Sequence, residues 1–259
     1  MHKIVGVIPA RWGSTRFPGK SLHPLLGRPL IQWVIERARQ ARTLDRVLVA
    51  TDDERIRAAA AQLGVEVVMT SRHHLSGTDR IAEAVRAIPA DVVLNIQGDE
   101  PLAEPALMDE LGRVLAGRAD WDMATAAAPI TDPRDAVNPS VVKVVRGREG
   151  QALYFSRATI PFVREKDTGA EYQNGLYYRH IGIYAYQRTF LERLVAEPPC
   201  ALEQAEKLEQ LRALWLGGRM KVLTTCDTGV GVDTPADVAR AEVEMKRRGW
   251  TAEGKEGRA

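Results

Sequence analysis

The chain reads as an α/β protein: a Rossmann-like, mostly parallel sheet flanked by helices, with an inserted β-rich subdomain. Three observations predict this. Strand-like apolar runs alternate with helix-period patterns through the first half, as repeated βα units require. The first run, Lys3-Ile4-Val5-Gly6-Val7-Ile8, opens at its carboxyl end into a basic, glycine-containing loop, where such sheets bind ligands. Beyond residue 140 the alternation gives way to closely spaced apolar runs joined by a turn. The expected organisation is a single domain over 1–250 with an insertion at about 130–190, and a flexible tail over 251–259.

The elements follow in order. Ile4 to Ile8 is the first strand. Leu30 to Ala41 has helical spacing with Pro29 at its start, where a missing N–H costs nothing. Arg46 to Ala50 is the next strand, and Asp53 to Leu63 a helix closed by Gly64. Glu66 to Met69 is a short strand, Thr78 to Ile88 a helix, Asp91 to Ile96 a buried strand and Glu104 to Leu115 another helix. Val141 to Val145 and Gln151 to Phe155 flank Arg146-Gly147-Arg148-Glu149-Gly150 as a hairpin, and Ile181 to Tyr186 is a third strand. The polar stretch 163–178 has no period, and a loop of that length marks a functional or mobile segment able to cover a site. Leu202 to Trp215 reads as one amphipathic helix, Met220 to Thr225 as a strand and Pro235 to Arg247 as the last helix.

Composition excludes several classes. At 259 residues the chain can bury a substantial core. A net charge of +2 gives no reason to expect nucleic acid or an anionic membrane, so the basic residues act locally. The first strand begins within three residues of the N-terminus, leaving no export signal, and no apolar run is long enough to span a bilayer; a cytoplasmic protein is expected. Cys200 and Cys226 are far apart and read as free thiols. The five histidines show no metal spacing, so a metal here would be a hard cation on carboxylates.

The chemistry concentrates first in Pro9-Ala10-Arg11-Trp12-Gly13-Ser14-Thr15-Arg16-Phe17-Pro18-Gly19-Lys20. Glycine lets backbone approach a ligand, Arg offers a donor fork to phosphate oxygens and Lys a mobile point charge. The loop differs from that of the common ATPases, which has four residues between its first glycine and Gly-Lys-[Ser/Thr]; here Gly13 and Gly19 enclose five. The strand ending at Ile96 runs into Gln97-Gly98-Asp99-Glu100-Pro101, placing Asp99 at the mouth of the sheet, either as a Mg²⁺ ligand or as a cap for the next helix. Asp233, in Gly231-Val232-Asp233-Thr234-Pro235, also precedes a helix start, and taken alone a capping role suits it better.

These segments resemble, in order and together with Tyr154-Phe155-Ser156-Arg157-Ala158-Thr159-Ile160-Pro161, His180-Ile181-Gly182-Ile183-Tyr184 and Leu208-Glu209-Gln210-Leu211-Arg212, the CMP-Kdo synthetases, the 3-deoxy-manno-octulosonate cytidylyltransferases of lipopolysaccharide biosynthesis. The resemblance covers residues 3–248. It implies a nucleotidyltransferase-type sheet whose insertion serves as a dimerisation or lid subdomain. The implied reaction transfers CMP from CTP to the anomeric hydroxyl of Kdo and releases pyrophosphate, with Mg²⁺ as cofactor. It implies that Pro9, Ala10, Arg11, Ser14, Arg16, Lys20 and Gln97 hold the nucleotide, with Arg16 and Lys20 stabilising the leaving pyrophosphate. Arg72, Ser76 and Gly77, in the stretch from Met69 to Arg80, are the implied cytosine readers, and Asp99 and Asp233 the metal ligands. Members commonly carry Asp-His where this chain has His73-His74, and often Leu in place of Phe17.

For the sugar acid, Arg157 can meet the carboxylate with its fork, and Gln97, His180, Tyr184, Glu209 and Gln210 have donors and acceptors for hydroxyls. Adjacent Glu209 and Gln210 point at different angles on a helix, so one of them is solvated. Tyr177, Tyr178 and Tyr186 near one strand suggest a dimer interface, and the family is typically homodimeric. Two alternatives stay open: the same transfer to another sugar acid, such as 8-amino-Kdo or a sialic acid, and a non-catalytic nucleotide-binding protein.

Overall fold

The computed structural model of the chain describes residues 2–14, 16–74, 76–117, 120–164, 175–226 and 229–255. The chain divides into two compact units, Met1–Gly112 with Gly229–Ala259, and Arg113–Thr228.

In the first unit the elements run β1 (Ile4–Ala10), β2 (Pro24–Leu25), β3 (Arg28–Pro29), α1 (Leu30–Gln40), β4 (Arg46–Thr51), α2 (Glu54–Gln62), β5 (Glu66–Met69), α3 (Gly77–Ala84), β6 (Val92–Asn95) and α4 (Pro105–Gly117), within which the unit boundary falls. β6, β1, β4 and β5 lie side by side, all parallel, with Val5 opposite Arg46 on one side and Val93 on the other. Val7, Ile8, Leu48, Val49, Val92, Val93 and Leu94 are fully buried, which is why these strands are continuous apolar runs rather than alternating ones. The β2–β3 hairpin turns through Leu26 and Gly27, at φ 48° and 79°; two positive φ values in a two-residue loop match the right-handed twist of a hairpin. The chain returns to this unit as the helix Pro235–Arg247 and a short hairpin in which Trp250–Thr251 pairs with Gly254–Lys255. Thr251 and Gly254–Lys255, where sequence predicts a flexible tail, pair in this hairpin, and just before that stretch Trp250 is 5% exposed with its ring 5.3 Å from that of Trp33.

An apolar cluster sits beneath the ligand end of this unit. Leu25, Trp33, Leu102, Val232, Met245 and Trp250 form it, and Phe17 and Val230 pack against it. Three of the segments expected to carry chemistry therefore rest on one core.

The second unit holds β7 (Met123–Pro129), α5 (Pro133–Val137), β8 (Lys143–Arg146), β9 (Ala152–Ser156), β10 (Tyr178–Gln187), α6 (Arg188–Ala196), α7 (Ala201–Glu206), α8 (Gln210–Trp215) and β11 (Met220–Thr224). β7 lies between β11, parallel to it, and β10, antiparallel; the predicted hairpin is β8–β9, joined to β10 at Lys143 opposite Arg179. A bridge between Gln151 and Lys221 brings the hairpin tip back to β11. β10 bulges between Ile181 and Tyr184.

Four expectations are corrected or completed here. Leu202 to Trp215 is two helices, because Lys207 adopts a left-handed conformation (φ 55°) with its N–H on the Glu203 carbonyl, a helix stop made without glycine. β7 and α6 were not expected from the sequence. Tyr177 and Tyr186 are 4% and 2% exposed and belong to this unit's own interior, so they offer no interface. The polar stretch 163–178 lies largely outside the described residues.

Candidate active site

At the carboxyl ends of β1 and β6 lies a cavity of about 280 Å³. Of the residues expected to hold nucleotide and metal, Pro9, Ala10, Arg11, Ser14, Arg16, Lys20, Ser76, Gly77, Gln97, Asp99 and Asp233 all line it. Arg72 does not; its Nε donates to the Asp52 carbonyl at 3.3 Å. His74, Arg80, Ser21 and Gly98 complete the lining.

The basic loop is closed on itself. The Trp12 carbonyl accepts hydrogen bonds from Ser14 N (2.9 Å) and Gly19 N (3.0 Å). Gly19 sits at φ 72° with its α-carbon against the Trp12 ring: a Cβ there would lie 2.9 Å from the indole, so glycine is required twice over. Arg55 lies over the Trp12 ring, its guanidinium 3.3 Å from the ring centre, and is itself forked onto Asp53. The loop's cations are thereby presented by a braced backbone rather than a slack one.

At the loop's end Lys20 Nζ donates to Asp99 Oδ2 at 2.5 Å and to Asp233 Oδ1 at 3.2 Å. Arg16 Nη2 stands 3.2 Å from Asp233 Oδ1. Lys20 is largely covered, at 15% side-chain exposure, whereas Arg16 is 66% exposed; the first pair is fixed and the second is a solvent-screened contact worth little. The capping alternative for Asp233 fails, because the helix start is capped without it: the Asp237 carboxylate accepts from Asp233 N, Thr234 N and Thr234 Oγ1. Val232 N donates to the Asp99 carbonyl at 2.9 Å, tying the two aspartate segments together. Among the described residues no three metal-ligating side chains cluster. Two carboxylates converging on one cation, beside arginine and serine side chains lining the same cavity, do fit Mg²⁺, which keeps waters and substrate phosphates in its shell.

Across the cavity α3 presents its N-terminus. Ser76 caps it, its Oγ accepting from Asp79 N at 3.1 Å. Arg80, 3% exposed, is held by Thr70 and by Asp52 at 2.7 Å. His74 bonds Glu83, whose carboxyl is held below its usual range chiefly by the Ser71 N–H and then by His74. Sequence reasoning did not single out Arg80, although it ends the stretch from Met69; an arginine one turn after the cap residue Ser76 was the available signal.

The second unit carries the other expected residues. Arg157 Nε donates to the Glu206 carbonyl (2.8 Å) and Nη1 to the Pro139 carbonyl (3.0 Å), while its N–H and the Ser156 hydroxyl hold the two Glu206 oxygens. Behind it lies fully buried Lys143, whose Nζ donates to the carbonyls of Asn138, Val141 and Arg157 at 3.0, 2.8 and 2.5 Å. Burial, then the nearby Arg157 charge, push this amine's pKa down, and Glu206 opposes them. Lys143 thus acts as a tethered cation in a cage of backbone carbonyls that anchors the base of Arg157.

His180 and Tyr184 face each other across the β10 bulge, ring centres 5.4 Å apart, with Phe155 edge-on to His180 at 5.0 Å. Both residues are half-buried, and burial of their titrating groups lowers the His180 pKa to about 3 and raises that of Tyr184 well above 10, helped by Tyr186 and Glu209. Both rings are neutral near pH 7. Thr125 was not foreseen: its Oγ1 lies 2.9 Å from His180 Nε2 and reaches the carbonyls of Ile181 and Ile183. Of the adjacent pair, Gln210 is 5% exposed and Glu209 is exposed at the helix start.

Residues 5–222 match the family described as cytidylyltransferase. The chain is 49% identical over 247 residues to the 3-deoxy-manno-octulosonate cytidylyltransferase of Bdellovibrio bacteriovorus, covering 95% of this chain and 99% of that one. It is 50% identical over 244 residues to the protein of that name from Aeromonas hydrophila subsp. hydrophila, covering 91% and 96%. A solved structure of CMP:2-keto-3-deoxy-manno-octonic acid synthetase complexed with CTP is similar at 40% identity and a TM-score of 0.88, over 95% of this chain and 99% of that one. The chain belongs to the cytidylyltransferase family, among the 3-deoxy-manno-octulosonate cytidylyltransferases.

Proposed function

We propose that the protein transfers CMP from CTP to the anomeric hydroxyl of 3-deoxy-manno-octulosonate, giving CMP-Kdo for lipopolysaccharide biosynthesis and releasing pyrophosphate. The observation that carries this reading is the convergence of Arg11, Ser14, Arg16 and Lys20 with Asp99 and Asp233 on one cavity, in a chain of this family. Arg11, Ser14, Arg16 and Lys20 bind the triphosphate, and the N-terminal end of α3 adds favourable partial charge. The sugar hydroxyl attacks the α-phosphorus in line, the new O–P bond forming as the bond to the β-phosphate oxygen breaks. Negative charge then grows on the pyrophosphate, and Lys20 and Arg16 are the groups that receive it.

Asp99 and Asp233 are the residues that would hold Mg²⁺, which when bound supplies neutralisation of phosphate charge and a lowered pKa for the sugar hydroxyl. Arg157 takes the sugar carboxylate; His180, Tyr184, Gln97, Glu209 and Gln210 take its hydroxyls. The half-buried, carbonyl-anchored side chain of Arg157 supports a fixed recognition role over a solvated one. No described helix is long and apolar enough to cross a membrane, and we place the enzyme in the cytoplasm. We also propose a homodimer, formed through the second unit, where Val137, Leu153 and Phe162 are 69%, 55% and 86% exposed; light scattering on the purified protein checks this.

The test is pyrophosphate release with CTP, Mg²⁺ and Kdo, with 8-amino-Kdo and a sialic acid in parallel and ATP, GTP and UTP as controls. Fast release with CTP and Kdo alone is expected. Release with another sugar acid instead would replace the acceptor, and none with any would make the protein a non-catalytic nucleotide binder.

A further inference from the structure

Thr125 has one hydroxyl proton and three neighbours. Its Oγ1 lies 2.8 Å from the Ile183 carbonyl oxygen, 3.2 Å from that of Ile181 and 2.9 Å from His180 Nε2. A carbonyl oxygen can only accept, so an oxygen pair 2.8 Å apart requires the proton to lie between them. With its proton committed to Ile183, the hydroxyl has only lone pairs left for the imidazole, and His180 Nε2 must carry hydrogen. The bulge between Ile181 and Tyr184 lies opposite Thr125, and the carbonyls of Ile181 and Ile183, two residues apart, both reach its hydroxyl. His180 Nδ1 has no hydrogen-bond partner among the described residues, and the residue is only partly buried.

We infer that Thr125 is a positioning residue that locks His180 as its Nε2–H tautomer, so that Nδ1 is offered as an acceptor to one hydroxyl of the sugar acid. The inference rests on the proposed function for the identity of that hydroxyl, but not for the tautomer. Its chemical consequence is selective. A lone pair at Nδ1 accepts from a hydroxyl or an ammonium group and repels a carbonyl or carboxylate oxygen, so it reads the sugar's hydroxyl side while Arg157 reads the acid. The ring stays uncharged near pH 7, consistent with its crowded setting.

The experiment is ¹⁵N NMR of the imidazole nitrogens in the intact protein at pH 7, with the His180 signal assigned by its loss in His180→Gln. The expected spectrum shows Nε2 protonated and Nδ1 bare. Thr125→Val should mix the tautomers and raise the KM for Kdo roughly tenfold, the worth of one hydrogen bond, with the KM for CTP within twofold. Thr125→Ser should restore both. A wild-type ring protonated on Nδ1 overturns the inference without needing any variant to fold. So does a Thr125→Val protein whose KM values for CTP and Kdo rise together, or whose KM for Kdo does not move. Wild-type protein that releases no pyrophosphate with Kdo overturns the acceptor role through the functional reading instead, whereas a wrong tautomer alone leaves turnover intact.

Discussion

Gly98→Ala tests whether the β1 and β6 ends are held at a fixed separation. A Cβ added at Gly98 would stand 2.7 Å from the Pro9 carbonyl oxygen, which is backbone and cannot rotate away. A relaxed carbon–oxygen contact is about 3.3 Å or more, so the two segments must part by roughly 0.6 Å. Gly98 does not have a left-handed φ, and the whole effect is therefore steric. Overpacking of this kind costs about 1–3 kcal/mol, or roughly 2–12 °C in melting temperature for a chain of this size. The larger consequence is catalytic. The parting moves Asp99 relative to Arg11, and since a misplacement of about 1 Å can cost ~10²-fold, kcat/KM should fall roughly tenfold. Thermal melts and pyrophosphate release measure the two effects, with Gly13→Ala as control, because a Cβ at Gly13 meets nothing within 4 Å. A Gly98→Ala protein with wild-type melting and wild-type kcat/KM would refute the wedge.

Asp99→Asn and Asp233→Asn should each lower kcat by ~10²-fold or more while melting stays within a few degrees; a near-normal rate in either removes that residue from the proposed metal site. Trp12→Ala, by slackening the loop that Arg55 braces, should raise the KM for CTP roughly tenfold with Trp12→Phe close to wild type, and equal kinetics for all three would show the stacking to be incidental. Arg157→Ala should raise the KM for Kdo far more than that for CTP, and the reverse split would move Arg157 to the nucleotide. Acid stability should carry a His180 component. Its folded pKa of about 3 lies below the unfolded value near 6.5, so the unfolded chain binds the proton first. The contribution is complete above about pH 6.5 and is lost as pH falls toward 3, by at most ~1.4 kcal/mol per pH unit and less for the partial exposure of the residue. Urea midpoints at pH 7, 5.5 and 4 should therefore fall more steeply for wild type than for His180→Gln, and parallel lines would contradict the burial.

The first unit was legible because its strands are buried on both faces and its helices on one. β1, β4 and β6 are continuous apolar runs and α1 buries Ile31, Val34, Ile35 and Ala38 at helical spacing. The phosphate loop and Asp99 could be placed because they immediately follow such strands. β7 could not be found this way. Met123-Ala124-Thr125-Ala126-Ala127-Ala128-Pro129 has the composition of a helix, yet it is a strand buried between β10 and β11, where small side chains suit close neighbours. Thr125 went with it, a single hydroxyl in an alanine run whose meaning depends on a bulge in a partner strand 56 residues away. The break at Lys207 was hidden for a related reason: a lysine rather than a glycine makes the left-handed stop, while Glu206 is drawn to Ser156 and Arg157. The capping alternative for Asp233 could not be settled from sequence, since Thr234 and Asp237 had first to be seen doing that work.

The apolar cluster shared by Phe17, Leu102, Val232, Met245 and Trp250 has a consequence for how the protein is made. Its members come from both ends of the chain, and the whole of Arg113–Thr228 is synthesised between them. On the ribosome the later unit is continuous in sequence and can collapse as soon as it emerges, whereas the earlier one must wait for its last strand and helix. Lys20 and Asp99 leave the exit tunnel long before Asp233, and the floor they rest on is unfinished until Trp250 follows. Nascent chains stalled before that point should hold a folded middle and an unfinished cavity, so the site is completed only once Trp250 has emerged.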